Sequence, residues 1–202
     1  MTTSTEMLTT LRAKLKLYEG NVKHFYLDTK GKVTIGVGHM LAHKNDTSGI
    51  ILYKTHEGKL TKAATLAEKM AEFDVISKRP WGKRYLYKSF EPYTTLVMKQ
   101  TDIDFLLNKH IDSFYTELKS LYQKHKGYAD DFDNFDTNLK LALFDMIFNL
   151  GATKLRKSFP KFNAALKSED FETAAKESHR LDIDHTRNEY VNDLISNLVV
   201  EA

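Results

Sequence analysis

The chain has 202 residues, 42% of them hydrophobic and 11% aromatic, with a net charge of +3. That composition describes a packed globule and excludes a disordered chain. With no cysteine there is no disulfide framework and no thiolate chemistry, and the chain suits a reducing or an oxidising compartment. No stretch approaches the roughly 20 apolar residues of a membrane span. The first six residues lack the basic-then-apolar pattern of a Sec-type signal. Mild basicity favours encounter with anionic polymers but is too weak to point to nucleic acid. Residues 78–85 interleave basic and aromatic side chains without an RNP, zinc-finger or helix-turn-helix signature.

Residues 5–19 have helical spacing, with Leu8, Leu11, Leu15 and Tyr18 in phase. Thr3 and Glu6 form a candidate capping box, and Gly20 is the stop. Glu19 therefore falls on the last turn, where the negative end of the macrodipole opposes a carboxylate's charge. A purely structural helix would favour Lys or Arg there. Residues 23–28 and 33–38 read as a hairpin turning at Thr29-Lys30-Gly31-Lys32. In the return strand Val33, Ile35 and Val37 alternate with Thr34, Gly36 and Gly38. One face is apolar; the other carries Thr34 alone, with room for a ligand to approach the backbone. Residues 40–95 are the least readable. Thr61–Phe73 is predicted helical, and Pro80, Gly82 and Pro92 mark loops. From residue 100 the pattern is helical: first 101–124, then an acidic loop over 127–136. A largely buried helix capped by Asp136 and ended by Gly151 follows. Further helices are expected near 160–167, 170–181 and 185–199.

Asp28 lies nine residues after Glu19, and Thr34 fifteen. A helix end, a strand and its return strand can converge these groups. Paired carboxylates suit glycosidic cleavage: one protonates the leaving oxygen, the other activates water or stabilises positive charge on the sugar. Spacing alone leaves open a solvated Glu at a helix end and an ordinary turn Asp. His39 and His43 could share a helix face for a metal, but no HExxH or cysteine accompanies them. Residues 130–136 miss the calcium-loop pattern: Phe135 occupies a ligand position, the loop glycine is missing and no Glu closes it. No metal and no cofactor are expected, and His39 is given a structural role.

The stretch containing Glu19-Gly20, Phe25-Tyr26-Leu27-Asp28-Thr29, Gly31 and Thr34-Ile35-Gly36-Val37-Gly38-His39 resembles the signature of the phage T4-type lysozyme family (glycoside hydrolase family 24). Both Glu/Asp/Thr spacings match. A second patch, residues 142–151 ending in Phe148-Asn149-Leu150-Gly151, resembles that family's buried core helix. Arg187, within residues 185–191, sits where the family has an arginine reaching the catalytic Glu. The resemblance covers roughly residues 5–40 and 100–200.

What this implies is a muramidase with Glu19, Asp28 and Thr34 as catalytic residues and Arg187, His39, Gly36 and Asn149 in support. Glu19 would be the general acid. Asp28 would position and activate water or stabilise the cation, Thr34 would help hold the water, and Arg187 would pair with Glu19 and counter the helix-end effect. The bond would be the β-1,4 link from N-acetylmuramic acid to N-acetylglucosamine, cleaved with inversion, which needs room for water between the carboxylates. The family's histidine at the His39 position pairs with an Asp on the connecting helix. An ungapped match puts His110 there, so either that pair is replaced or Asp104 or Asp112 substitutes.

The implied fold is α+β and lysozyme-like: a single two-lobed domain over 1–202 with the glycan cleft between the lobes. The small hairpin lobe is about 20–95, including an insertion over about 41–95; the mainly helical lobe is 1–19 and about 96–202. Between His39 and Thr101 the chain exceeds the minimal family pattern by roughly 30 residues. That segment brings Trp81, Tyr53, Tyr85, Tyr87 and Tyr93 beside basic residues, and two readings stand: glycan binding, or extra packing. The expected function is peptidoglycan hydrolysis by an antibacterial effector or a phage endolysin. The rivals are a lytic transglycosylase and an inactive glycan-binding module on the same fold. The expected partner is peptidoglycan, with a cognate immunity or inhibitor protein if the chain is an effector. Nucleic acid and membrane are not expected partners, and the chain is expected to be a monomer. It is expected to be made in the cytoplasm and to act in the periplasm or cell wall after secretion, import or holin-mediated release.

Overall fold

The computed structural model describes residues 4–181 and 183–199. The first helix, α1, is Thr5–Glu19. Its cap is Ser4, whose Oγ accepts the Met7 N–H at 3.1 Å; Thr3 lies outside the described residues. Gly20 ends the helix at φ 83°, so Glu19 is its last residue. The long helix α3 is Gln100–Leu121. The chain divides into two compact units whose boundaries fall inside these two helices. One unit is Leu15–Lys109; the other joins the described residues through Lys14 to those from His110 onward.

The Leu15–Lys109 unit holds two three-stranded antiparallel sheets. The first, in the order β1-β2-β3, comprises β1 Val22–Leu27, β2 Val33–Gly36 and β3 His39–Leu41. The expected return strand 33–38 is thus shorter. Gly36 at φ 68° and Gly38 at φ 65° turn the chain back into β3, conformations that cost a residue with a Cβ. The second sheet runs β5-β4-β6, with β4 Tyr53–His56, β5 Lys59–Ala63 and β6 Leu96–Val97. The predicted helix Thr61–Phe73 is corrected at its start, because Thr61–Ala63 belong to β5. Helix α2 is Leu66–Ser77, and it begins where Thr65 and Glu68 form a reciprocal capping box.

The segment after β3 has its own core. Ile50, Leu52, Phe73, Ile76, Phe90, Leu96 and Met98 are buried. It is also fastened to the first sheet. Phe73 meets Phe25 edge-on with centroids 6.4 Å apart, and the Met98 N–H donates to the Lys23 carbonyl at 2.8 Å. Glu72 ties α2 to β6 by accepting the Thr95 and Leu96 N–H groups at 2.6 and 3.1 Å. Burial pushes the Glu72 carboxyl above the usual carboxylate range, although these bonds oppose it. Among the described residues, no helix is long and apolar enough to cross a membrane.

The other unit is helical. Its centre is α4, Thr137–Leu150, in which Leu139 and every residue from Leu141 to Ile147 are buried. Asp136 caps it through the Asn138 N–H at 2.6 Å, and Gly151 ends it at φ 72°. Around it come α5 Ala152–Ser158, α6 Pro160–Lys167, α7 Phe171–Glu177 and α8 His185–Ser196. α5 has no counterpart in the sequence reading, and α7 is shorter than the predicted 170–181. The acidic loop ties its carboxylates to α3 and the residues just after it. Asp133 accepts from Tyr115 and pairs with Lys119, each at 2.6 Å, and Asp131 accepts the Lys124 N–H at 2.8 Å.

Candidate active site

Asp28 follows the last residue of β1, and its carboxylate closes the hairpin turn. Both the Lys30 and Lys32 N–H groups donate to Oδ1 at 2.8 Å. Its backbone does the same work: Gly31 N–H donates to the Asp28 carbonyl and Asp28 N–H to the Lys32 carbonyl, each at 3.0 Å. Such an Asp-anchored turn fixes the side chain. Oδ2 receives neither turn N–H and is held in place by its partner oxygen.

Thr34 sits in the middle sheet strand, opposite Tyr26 of β1 and Met40 of β3. Paired residues share a face, so the face expected to be bare is corrected: Tyr26 and Met40 flank Thr34, which is only 3% exposed. Its Oγ1 donates to the Lys32 carbonyl at 3.0 Å. The two glycines also differ from the open face expected of them. A Cβ at Gly36 would touch Ile103 and Leu106 of α3 at 3.8 and 3.9 Å, so Gly36 serves packing. A Cβ at Gly38 would stand 3.2 Å from Glu19 Oε2 and 3.5 Å from Glu19 Cβ. The half-buried Glu19 side chain therefore rests directly on the β2–β3 turn.

Tyr26 is the residue that the sequence reading missed. Its phenol is pushed above the usual tyrosine range, first by burial, then by the charges of Glu19 and Asp28. Both carboxylates therefore lie near enough to act on one ring, and Tyr26 stays neutral. The signal was available: residues 26 and 28 share a strand face.

The supporting residues are placed differently. His39 opens β3, opposite Ile35. Asp104, one suggested partner for it, accepts from Lys16 Nζ at 2.7 Å and from Gln100 at 3.0 Å. His110 belongs to the helical unit, within ring contact of Phe114 and Phe148. Asn149 is half-buried near the end of α4. Arg187 is buried in α8, and its Nε donates to the Asp145 oxygens at 3.1 and 3.0 Å. Arg180 Nη1 meets the same carboxylate at 2.8 Å. Asp145 was not singled out in the sequence; a lone Asp inside a very apolar helix was the signal.

These features define an α+β, lysozyme-like fold in which one hairpin carries the Asp28 carboxylate, the Tyr26 phenol and the Thr34 hydroxyl, and the Glu19 carboxylate at the end of α1 rests on the β2–β3 turn. No family model matches the chain. A Dictyostelium discoideum protein described as "Probable T4-type lysozyme 2" is 25% identical over 162 residues, covering 75% of this chain and 71% of that protein. The likeness supports a distant lysozyme-like relationship.

Proposed function

We propose that the chain is a peptidoglycan hydrolase, a muramidase cleaving the β-1,4 bond between N-acetylmuramic acid and N-acetylglucosamine. The observation that carries it is the placement of Glu19 against Gly38 in the turn that leaves β2, while the other turn of the same strand fixes Asp28. Two carboxylates near one neutral ring, in unlike settings, fit the two roles that glycosidic cleavage divides. Glu19 is placed over Gly38, where it serves as general acid to the leaving oxygen. Asp28 is oriented by two N–H groups on one oxygen, and its outer oxygen accepts a proton from the attacking water.

The Thr34 hydroxyl has one hydrogen, and it is given to the Lys32 carbonyl. Toward a water Thr34 can only accept. A water that donates to both Thr34 and Asp28 turns its lone pair to the sugar. Attack by such a water on the face opposite the leaving group gives inversion. Arg187, His39, Gly36 and Asn149 are assigned support: Asp145 orients Arg187, Gly36 lets α3 approach β2, and the other two hold their elements. The name of the Dictyostelium relative agrees with this reading.

The test is digestion of purified peptidoglycan by the wild type and by Glu19→Gln, with muropeptides read by mass spectrometry. Reducing-end products from the wild type alone are expected. Anhydro ends would indicate a lytic transglycosylase, and no release by the wild type would leave a glycan-binding module. Action as an effector or an endolysin, and an immunity or inhibitor protein as partner, belong to the same proposal. Such a partner would co-purify from the native host.

A further inference from the structure

Trp81 is the single tryptophan of the chain and is 54% exposed. It is not loosely placed. A Cβ built on Gly31 would lie 2.7, 2.9 and 2.9 Å from indole Cε2, Cδ2 and Nε1. Cε2 and Cδ2 are the ring-fusion atoms, so Gly31 meets the indole from above its plane and not at its edge. One ring face is pressed on the backbone of the turn, and the exposure belongs to the rest of the ring, including the opposite face. Gly31 is needed twice here, for its φ of 73° and for the space.

The turn beneath the ring is the one that holds Asp28, since Gly31 N–H donates to the Asp28 carbonyl. Residues so joined have Cα atoms within about 7 Å. The tyrosines of the same segment are engaged otherwise. Arg79 lies over Tyr93 at 3.9 Å, Lys99 over Tyr53 at 3.8 Å and Arg84 over Tyr85 at 4.9 Å. Those rings fit the packing reading of the segment. Trp81 alone among these residues combines a fixed ring, an open face and contact with the Asp28 turn.

We infer that Trp81 is a sugar-binding platform, stacking one N-acetylated pyranose ring of the wall glycan beside Asp28. The apolar C–H face of a pyranose covers an indole face and removes both from water. The exposed Lys30 and Lys32 in the turn attract the acidic groups such a glycan carries. The choice of ligand rests on the hydrolase reading; the platform itself rests on the ring's placement.

Because the chain has one tryptophan, its emission reports on this site directly. The Glu19→Gln protein is titrated with soluble strands of alternating N-acetylglucosamine and N-acetylmuramic acid, followed by fluorescence and by calorimetry. A saturable emission change matching the calorimetric isotherm is expected. Trp81→Ala weakens binding about tenfold, and Trp81→Phe, which keeps an aromatic face, restores most of it. In turnover, Trp81→Ala acts mainly on KM. Binding with unchanged emission and unchanged affinity in Trp81→Ala overturns the platform and leaves the hydrolase standing. Binding through Trp81 without product from the wild type sinks the hydrolase and keeps the platform. No binding by either method overturns the platform.

Discussion

Asp28 and Thr34 meet on one peptide group. The Lys32 carbonyl accepts the Asp28 N–H and the Thr34 hydroxyl, each at 3.0 Å, while the Lys32 N–H returns to Asp28 Oδ1 at 2.8 Å. Lys32 thus sets the distance between the two side chains proposed to hold the water. Thr34→Val keeps the shape and leaves the Lys32 carbonyl bonded to Asp28. Stability should fall by about 1 kcal/mol, while wall-digesting activity falls on the order of 100-fold. Urea unfolding and a turbidity assay separate the two. Full activity in the variant would reduce Thr34 to a structural role.

Gly38 supports the other carboxylate. Gly38→Ala places a methyl group 3.2 Å from Glu19 Oε2 on a backbone at φ +65°. The left-handed conformation costs about 1–2 kcal/mol, and the Glu19 side chain must shift. Turnover is expected to fall at least tenfold in protein that still melts cooperatively, as followed by circular dichroism alongside the assay. An active Gly38→Ala protein would detach Glu19 from the chemistry.

In the helical unit, Asp145 is 2% exposed and faces two buried arginines, Arg180 and Arg187. Removing the anion leaves two cations that water cannot reach. Asp145→Ala should cost about 3–5 kcal/mol, read as a shift in the urea midpoint. A loss under 1 kcal/mol would show that the arginines find other compensation.

Alkaline stability follows from three phenols. Burial raises Tyr122 well above the usual tyrosine value and raises Tyr128 and Tyr26 as well. The folded state holds these protons more tightly than the unfolded state does. Their contribution is intact below about pH 10 and is lost as pH climbs from there through the folded-state values, by up to about 1.4 kcal/mol per pH unit for each group. The Tyr122 hydroxyl is buried with no hydrogen-bond partner among the described residues. Tyr122→Phe should therefore be neutral or stabilising at pH 7 and should flatten the alkaline decline. Urea midpoints measured from pH 8 to 11 check both parts; an unchanged slope would exclude Tyr122 as a source.

What could be read from the sequence was what local chemistry fixes. α1 and α4 have strong periodicity and clean stops at Gly20 and Gly151, and both were placed within a residue. The β2 strand was overextended because alternation continues through Val37, whereas the positive φ of Gly36 breaks it; two glycines fit either a bare face or a turn. The start of α2 differs because apolar phase alone does not register the Thr65–Glu68 cap, which begins the helix after β5. Glu19, Asp28 and Thr34 were legible as candidates through spacing and resemblance. Tyr26 and Asp145 leave only local signals, a strand face shared with Asp28 and a lone Asp in an apolar helix, while the seating of Trp81 on Gly31 leaves none, since those residues are far apart in sequence.

The β4–β5 connection has a practical consequence. His56 pairs with Lys59 across a two-residue turn, Glu57 and Gly58, with φ of 50° and 73°, and no atom comes within 4 Å of a Cβ on Gly58. β5 is exposed along its whole length and lies at the sheet's edge, where Lys59 and Lys62 discourage pairing with another chain. A short epitope or a dye-bearing peptide spliced between Glu57 and Gly58 should be carried without disturbing Asp28, Thr34 or Trp81. The molecule thereby offers its own handle for immobilisation on a sensor surface or a bead, with α1 and the hairpin that bears Asp28 left in their native sequence.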